Sequence, residues 1–549
     1  MEFKKNQIVE LYIDDIGNEG EGIGHIDGYA LFLKDAVIGD KVRAKIIKTK
    51  KNYGFARVEE VIEASKDRVS PRCSKARQCG GCTLQHLAYE KQLEYKFNKV
   101  KNCLERIGGL ENIEEKMEPI LGMEEPFYYR NKAQFPVGYD KEGNLITGFY
   151  AGRTHHIIDC THCMIQHPVN EQILLKVLDY MKKNNITAYD EKTHKGLVRH
   201  IVTRVGFKTG EIMVCLVVNG SKKNLRNLEM LVDSLTEVEG MTSICVNINK
   251  EKTNRILGSK IEEVYGKPYI YDYIGNVKYQ IGPLSFFQVN PTQTKVLYEK
   301  AMEYADLKGE ETVWDLYCGI GTISLFLAQK AKKVYGVEIV KEAIDDARLN
   351  AKMNGFDNAE FFVGKAEEVL PREYEKNGVY ADTIVVDPPR KGCDSKLLET
   401  MVKMAPKRIV YVSCDPSTLA RDLAILEGNG YKTVKVQPVD MFPHTNHVET
   451  VVLLSQQKPD DTIEIDLDLD ELDATTAETK AIYEEIKAYV WDKHHLKVSS
   501  LYISQIKRKC GLEVGQNYNL SKSENPKVPK CPPEKEAAIM DALKHFQMI

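Results

Sequence analysis

Apolar and polar residues alternate with a period of two over the first 65 residues. Short alternating runs such as YALFLK and KVRAKII are separated by glycine-containing turns, among them GEGIG at 20–24. Such alternation is typical of half-buried strands, and regularly spaced turn signals between short strands favour a small closed sheet. The pattern therefore predicts a small, OB-like antiparallel β-barrel over residues 1–65.

A different rhythm, in which apolar runs alternate with helical patterns, occupies residues 312–455. The runs are TVWDLYCGIG, KVYGVEIV, TIVVDPPR, RIVYVSCDP and HVETVVLLS. Strands that alternate with helices predict a doubly wound parallel sheet of the Rossmann-like kind. We place this domain at 286–456, because FFQVN at 286–290 leads into a helix with Pro291 near its first turn.

The remaining segments give two further regions. Residues 66–285 combine an amphipathic helix near 86–108 with strand-like runs such as HIVTRVGF and EIMVCLVVNG, which predicts a central α+β domain. Residues 457–549 contain an acidic linker, helical patterns at 476–495 and 499–510, and a Pro-rich loop with KVPKCPPEKE. The predicted fold class is thus multidomain α/β with a helical C-terminal extension of unknown role.

The composition of the 549 residues, with 43% hydrophobic and 28% charged residues, is that of an ordinary globular protein. No run of about eighteen apolar residues exists, and the start, MEFKKNQIVEL, lacks the apolar core of a signal peptide. We therefore expect a cytoplasmic protein. The net charge of −4 does not by itself indicate a nucleic-acid-binding protein.

The charge is nevertheless unevenly distributed. Residues 41–58 hold five Lys, two Arg and no acid, whereas residues 459–473 hold eight acids and no base. Tyr53 and Phe55 lie within the basic strip, a combination that suits phosphates and stacked bases. The alternative is a solvated sheet face whose aromatic rings fill the barrel wall.

Thirteen cysteines, an odd number in a long chain, favour metal binding or catalysis over a disulfide framework. Cys73, Cys79 and Cys82 form a C-x5-C-G-G-C pattern, whose glycines permit a tight wrap around a metal centre. Three thiolates are one ligand short of four, and Cys160 and Cys163 are the candidates for the fourth. The spacing does not separate zinc from an iron–sulfur cluster, and chance clustering in a loop is the plainer alternative.

Polar residues follow three predicted strands in the region 312–455. Gly319 and Gly321 form a glycine-rich turn at a helix start, where the backbone can approach a ligand closely. Glu338 ends the next strand, where a carboxylate can accept hydrogen bonds from both ribose hydroxyls, and Asp387 ends another. Because G-x-G lacks the third glycine of a dinucleotide site, the turn fits S-adenosylmethionine better, which predicts a methyltransferase.

Five segments in order, FFQVN, DLYCGIGT, DPPRKG, YVSCDPSTLARD and HTNHVETVVLL, resemble the RNA uracil-5-methyltransferase family. The N-terminal barrel resembles the TRAM module, and C-x5-C-G-G-C resembles the iron–sulfur motif of the 23S ribosomal RNA branch. The similarity covers roughly residues 5–455. It implies S-adenosylmethionine and a 4Fe-4S cluster as cofactors and 23S ribosomal RNA as partner, with no membrane and no obligate protein partner.

The resemblance also implies site residues. The family's I/V-D-x-x-x-C pattern before the fourth cluster ligand fits IIDCTHC with Cys163, and Cys160 remains its rival. The family often has Phe where this chain has Tyr317. The implied cofactor residues are Gln288, Tyr317, Gly319, Gly321, Glu338 and Asp387, and the implied cluster ligands are Cys73, Cys79, Cys82 and Cys163.

The nucleophile of this reaction is predicted at Cys414, which follows a buried strand, and the base at Glu449, which begins the last strand. C5 of uracil is a poor nucleophile until a thiolate adds to C6, after which C5 accepts a methyl group and a base removes its proton. The resemblance assigns both residues these roles. The plainer alternative is a buried structural thiol, with Cys318 as a second candidate in the cofactor loop. We further expect Asp387, Arg390 and Asp440 to orient the uracil or its phosphate.

Three other functions remain open at this point. Transfer RNA uracil methylation is the first, although enzymes of that kind usually lack both the barrel and the cysteine motif. An amino-group methylase that uses DPPR is the second, and it would not need Cys414. A non-catalytic RNA-binding or ribosome-assembly protein is the third. Lys507, Arg508 and Lys509 near the C-terminus either add RNA contact or belong to a stabilising appendage.

Overall fold

The computed structural model describes residues 3–152, 154–457, 477–510, 512, 531–546 and 548. The chain divides into two compact units, Met1–Lys458 and Pro459–Ile549. Within the described residues, no helix is both long and apolar enough to cross a membrane.

The first six strands form one sheet with the order β1-β5-β6-β4-β3-β2. They are β1 (Ile8–Tyr12), β2 (Asp15–Ile16), β3 (Gly22–Ile26), β4 (Tyr29–Lys34), β5 (Lys41–Thr49) and β6 (Tyr53–Glu63). The sheet curls around buried Leu31, Leu33 and Val42, and the backbone N–H of Asp14 donates to the carbonyl of Ile23 at 2.9 Å. The predicted small barrel is present, but β4 and β6 pair in parallel rather than antiparallel.

The central region holds a seven-stranded sheet with the order β13-β12-β11-β10-β7-β8-β9 and a separate hairpin, β14-β15. Its elements are α1 (Tyr89–Arg106), α2 (Ile113–Lys116), β7 (Lys132–Tyr139), β8 (Leu145–Tyr150), β9 (Ile157–Asp159), α3 (Val169–Lys183), β10 (Val198–Val205), β11 (Ile212–Val218), α4 (Leu228–Thr236), β12 (Met241–Ile248), β13 (Lys260–Tyr265), β14 (Ile270–Ile274) and β15 (Val277–Ile281). Apolar residues of α3 and α4 pack on one face of the sheet and form its core.

The third sheet has the order β18-β17-β16-β19-β20-β22-β21. Its elements are α5 (Pro291–Ala305), β16 (Thr312–Leu316), α6 (Thr322–Ala328), β17 (Lys333–Glu338), α7 (Lys341–Met353), β18 (Ala359–Val363), α8 (Ala366–Asn377), β19 (Thr383–Val386), α9 (Ser395–Met404), β20 (Arg408–Ser413), α10 (Pro416–Glu427), β21 (Tyr431–Val439) and β22 (Glu449–Gln456). Buried residues on both faces of the sheet make two large cores.

The prediction of an all-parallel sheet is wrong for its last strand. Strands β16 to β20 are parallel, but β22 runs antiparallel to both β20 and β21. The physical reason is the short connection at 440–448, because parallel neighbours need a longer crossover, usually a helix. The reversal places the start of β22 at the sheet edge where the parallel strands end.

The turn after β20 is tightly specified. Asp415 caps α10, and its carboxylate accepts backbone N–H groups from Ser417 at 2.9 Å and Thr418 at 3.4 Å. Pro416 occupies the first turn of the helix, where its missing N–H costs nothing. The sharp change from strand to helix leaves Cys414 at the exposed end of the sheet.

The C-terminal unit contains α11 (Ala477–His494), α12 (Ser500–Lys509) and α13 (Pro533–His545). Residues of all three helices share a small apolar core. Helix α13 was not predicted: Pro532 and Pro533 cap and begin this helix rather than continue the predicted Pro-rich loop. The acidic segment 459–473 lies outside the described residues.

The three basic residues of α12 do not form one exposed surface. Lys507 is buried, Lys509 pairs with Glu536, and Arg508 is exposed. A helix places consecutive residues about 100° apart, so three adjacent charges point in different directions.

Candidate active site

A cavity of about 760 Å³ opens at the carboxyl ends of β16, β17, β19 and β20. This volume is within the usual range of small-molecule sites. Eight of the predicted cofactor and reaction residues line it, namely Gln288, Tyr317, Gly319, Glu338, Asp387, Arg390, Cys414 and Glu449. Gly321 caps α6 beside the cavity instead of lining it. The structure thus brings the predicted cofactor and reaction residues to one place.

The loop between β16 and α6 has an unusual backbone. Tyr317, Gly319 and Gly321 have φ angles of 69°, 56° and 82°. This left-handed region is costly for a bulky tyrosine and tends to be kept where function requires it. A Cβ on Gly321 would lie 3.2 Å from Ala347 and 3.3 Å from Phe361, so this position also requires a small residue.

The backbone holds the Glu338 side chain in place. One carboxylate oxygen accepts the N–H of Gly319 at 3.3 Å, and the other accepts the N–H of Val340 at 2.9 Å. Each carboxylate oxygen can accept further hydrogen bonds, and Glu338 lines the cavity, so the carboxylate can accept hydrogen bonds from the hydroxyls of a ribose bound there. Ile320 and Ile339, which also line the cavity, offer apolar surface for an adenine ring. These features fit S-adenosylmethionine.

The reaction residues meet where β20 and β22 end their pairing. Ser413 lies opposite Thr450 in the ladder, so Cys414 and Glu449 are the next residues on either side. Burial raises the pKa of the Cys414 thiol to about 12, and the charges of Glu449 and Asp387 add to this effect. Burial and the charge of Asp387 also raise the pKa of Glu449 well above the usual carboxyl range, whereas Arg390 opposes the shift. The acidic cavity therefore favours cationic ligands.

Phe286, Phe442 and His447 are among the cavity-lining residues that were not singled out from the sequence, although FFQVN and HTNHVETVVLL contain two of them. Phe286 is 67% exposed, which leaves an aromatic ring available for stacking at the edge of the cavity. His447 lies 3.5 Å from the guanidinium of Arg390, and burial and that charge lower its pKa to about 4. Phe442 is the third. Only their positions next to known motifs could have indicated them.

The proposed substrate contact of Asp440 is wrong. This carboxylate is fully buried, lies 2.5 Å from the ammonium of Lys96 and accepts the hydroxyl of Tyr89 at 2.8 Å. Because both oxygens are engaged inside the protein, Asp440 does not reach the cavity. Its ion pair instead fixes the beginning of the loop 440–448, which leads to Glu449.

The cysteine motif packs against the central region. The N–H of Gly80 donates to the Tyr150 carbonyl at 3.1 Å, and Cys79 forms an isolated bridge with Ala151. Cys73, Cys79 and Cys163 all act electrostatically on Cys82, and burial raises the pKa values of Cys82 and Cys163 to about 12 and about 11. Within the described ranges, however, no three His, Cys, Asp or Glu side chains meet at metal-binding distances.

Cys160, the rival fourth ligand, has a different environment. Its buried thiol donates to the carbonyl of His162 at 3.2 Å. As whole residues, Cys160 is buried and Cys163 is half-buried.

The basic strip of the barrel is partly neutralised by neighbouring strands. Lys41, Arg43 and Arg57 pair with Glu63, with Glu10 and Glu60, and with Glu59, respectively. In the part of the chain that the structure describes, no acid forms a salt bridge with Lys45, Lys48, Lys50 or Lys51. Phe32, Tyr53 and Phe55 cluster on this barrel with ring centroids 5.7 to 5.8 Å apart.

Comparison with known proteins gives two family matches. The model described as tRNA (Uracil-5-)-methyltransferase matches residues 88–457, and the TRAM domain matches residues 2–58. An uncharacterized RNA methyltransferase of Clostridium tetani is 54% identical over 453 residues, which are 82% of this chain and 97% of that protein. A second, from Halalkalibacterium halodurans, is 53% identical over 82% of this chain and 97% of its own length.

The chain is also similar to a solved structure. The Pyrococcus abyssi tRNA (uracil-54, C5)-methyltransferase in complex with S-adenosyl-L-homocysteine is 30% identical, with a TM-score of 0.66. The match covers 81% of this chain and 100% of that one.

Proposed function

The chain belongs to the tRNA (Uracil-5-)-methyltransferase family, whose members methylate RNA uracil with S-adenosylmethionine, and from this premise we propose that it converts a uridine of 23S ribosomal RNA to 5-methyluridine. One observation carries the proposal of a working uracil methylase. Cys414 and Glu449 line the same cavity as the residues suited to hold the methyl donor. The amino-group methylase and the non-catalytic protein need neither of these two residues.

We assign Cys414 as the nucleophile. Its thiolate forms a bond to C6, and the electrons of the C5–C6 double bond move onto O4 as an enolate. C5 then attacks the methyl carbon of S-adenosylmethionine, and S-adenosylhomocysteine leaves as a neutral thioether. The pKa of the Cys414 thiol lies at about 12, because the thiol is buried beside carboxyl groups. Bound in the cavity that Cys414 lines, the sulfonium of S-adenosylmethionine would supply a positive charge, which would favour the thiolate.

Glu449 acts as the base in the second half of the reaction. It removes the proton from C5, the C5–C6 double bond forms again, and the sulfur of Cys414 leaves as a thiolate. A base works best when its pKa is close to the operating pH. The raised pKa of Glu449 supports this role, because an ordinary carboxylate would be a weaker base. We assign the orientation of the uracil to Asp387 and Arg390, because both line the same cavity.

The target uridine must leave any helix before C6 is accessible, which costs a few kcal/mol of stacking. Phe286 at the edge of the cavity can stack on a displaced or neighbouring base, and the barrel surface with Lys48, Tyr53 and Phe55 can hold adjacent nucleotides.

The finer assignment to 23S ribosomal RNA rests on the cysteine motif, which resembles that branch of the family. Cys73, Cys79, Cys82 and Cys163 would hold a 4Fe-4S cluster: the charges of the other three act on Cys82, although within the described residues no three such side chains meet at metal-binding distances. When bound, the cluster would cross-link the loop 73–82 to the chain after β9, and zinc remains the alternative occupant. The domain boundaries given above and the cytoplasmic location remain predictions.

A transfer RNA substrate is the second candidate, because the matching Pyrococcus abyssi enzyme acts on transfer RNA. That match covers 81% of this chain. The predicted central and catalytic domains at 66–456 make up a smaller share of the chain, so the match extends beyond them. The barrel by itself therefore does not separate the two RNA classes.

The deciding experiment is to incubate the anaerobically purified protein with S-adenosylmethionine and either 23S ribosomal RNA fragments or transfer RNA, each containing 5-fluorouridine. Fluorine cannot leave C5 as a proton, so the covalent intermediate should accumulate on Cys414 with one ribosomal fragment. An adduct with transfer RNA alone would transfer the proposal to that substrate. Absence of any adduct, with both ligands bound, would contradict uracil methylation by this route.

A further inference from the structure

A cluster of three cations lies on the central sheet: Arg130, Lys132 and Arg204. Lys132 begins β7 and lies directly opposite Arg204 of β10 in the antiparallel register, so both side chains are on one face. Arg130 precedes Lys132 by two residues, and its charge acts on Lys132 as that of Arg204 does. We call these three residues the cation cluster.

The cation cluster lacks a countercharge. In the described portion of the chain, no Asp or Glu forms a salt bridge with any of its three members. Arg204 is 2% exposed, and its Nε has no hydrogen-bond partner. Burial and the two arginines lower the pKa of Lys132 to about 7. Enclosed cations are normally paired, so an anionic partner from outside the protein fits this site.

The cation cluster borders the candidate active site. The Arg204 guanidinium donates to the Ser285 carbonyl. Asn131, between the other two cations, donates its side-chain amide to the Gln288 carbonyl at 3.0 Å and its backbone N–H to the Val289 carbonyl at 2.8 Å. The segment held by these bonds carries Phe286 and Gln288, which line the cavity.

We infer that Arg130, Lys132 and Arg204 bind one backbone phosphate of the RNA next to the nucleotide whose base enters the cavity. This inference rests on the proposed function for the identity of the anion. The carboxylate of the methyl donor fits less well, because none of the three cations lines the cavity. A phosphodiester supplies one negative charge per nucleotide, and guanidinium groups match its oxygens in pairs.

The first test compares Lys132→Met with Lys278→Met in the full-length protein. Lys278 is a half-buried lysine of β15 that stacks on Tyr271 away from the cavity, so its replacement removes the same charge elsewhere. Binding of a short single-stranded oligouridylate is measured at several salt concentrations. We expect K132M to bind at least about tenfold more weakly and to lower the salt slope by about 0.7, as for one lost phosphate contact. Lys132→Arg and K278M should keep the wild-type slope.

The second test uses the wild-type protein and does not depend on how a variant folds. Neutral methylphosphonates replace the phosphates of the oligouridylate one at a time. One position should weaken binding at least as much as K132M does, and K132M should respond less to that position than the wild type, because only Arg130 and Arg204 remain to contact the phosphate. A flat series, or unchanged binding by K132M, would overturn the inference. If binding is the same for every methylphosphonate position, and inorganic phosphate displaces the RNA completely at constant ionic strength, the cation cluster is a site for free anions instead.

Two controls distinguish a phosphate site from a countercharge to the metal centre and from a failure of methylation itself. Iron content and visible absorbance of anaerobically purified K132M should equal those of the wild type. If K132M loses its iron and its absorbance, the cation cluster is a countercharge to the metal centre, and the inference is overturned. If the wild-type protein binds RNA but never methylates it, the proposed function fails, whereas the binding data still decide the phosphate site.

Discussion

The ammonium of Lys96 lies 2.5 Å from the carboxylate of Asp440, and both side chains are fully buried. Lys96 belongs to α1, whereas Asp440 begins the loop that leads to Glu449. Lys96 also donates to the carbonyl of Phe442 at 3.0 Å. The pair therefore connects a helix of the N-terminal half to the loop that carries the proposed base.

Replacement of one partner should be costly. We expect Asp440→Asn to reduce the free energy of unfolding by about 3 kcal/mol or more, because it leaves the Lys96 charge buried and unpaired. Urea denaturation of the full-length protein measures this change. The double variant Lys96→Met/Asp440→Leu should recover most of the loss, and equal stability of D440N and the wild type would contradict the structural role.

Cys414 should be essential for chemistry and dispensable for cofactor binding. We expect Cys414→Ala to form no 5-methyluridine and no adduct with 5-fluorouridine RNA, because no thiolate can add to C6. Binding of S-adenosylhomocysteine by calorimetry should remain close to wild type. Cys531→Ala, which removes a thiol from the C-terminal unit, serves as the control. Residual methylation by C414A would favour an amino-group methylase.

Glu449→Gln should stop the reaction after methyl transfer. The amide cannot remove the C5 proton, so the sulfur of Cys414 cannot leave, and the covalent complex should accumulate with ordinary uridine RNA. Denaturing electrophoresis with radiolabelled RNA detects it. Release of free 5-methyluridine at the wild-type rate would show that another group is the base.

The same variant should change the pH dependence of stability. Burial and Asp387 raise the pKa of Glu449 in the folded protein, so the folded state holds an extra proton between the ordinary carboxyl pKa and the raised one. The free energy of unfolding should therefore decrease as pH rises through this interval. E449Q cannot lose this proton and should show a smaller decrease. Denaturation curves at weakly acidic and weakly alkaline pH, without ligands, provide the comparison.

Cys163→Ser and Cys160→Ser form a matched pair for the metal centre. We expect C163S to lose most of the iron after anaerobic purification, because a four-cysteine cluster needs four thiolates. C160S should retain it, since the Cys160 thiol already donates to the His162 carbonyl. Iron and zinc analysis of both proteins gives the answer. The reverse result would make Cys160 the ligand, and zinc without iron would replace the cluster proposal.

Local sequence signals predict local structure well. The sequence places Cys414 at a strand end because an apolar run is followed by the Asp-Pro helix start, and both features depend on neighbouring residues. The direction of β22 is not predictable in this way, because alternation of apolar residues carries no information on strand direction. Likewise, the partner of Asp440 lies 344 residues away in sequence, so its charge alone suggests a substrate contact.

The loop 440–448 is held largely by residues from the first third of the chain. The backbone N–H groups of Thr83 and Leu84 donate to the His444 carbonyl at 2.9 and 3.0 Å, and the hydroxyl of Tyr129 donates to the Pro443 carbonyl at 3.0 Å. During synthesis these supports are made hundreds of residues before Glu449 leaves the ribosome. An engineered catalytic fragment that begins after them would contain the entire third sheet and still lack the means to hold its base in position.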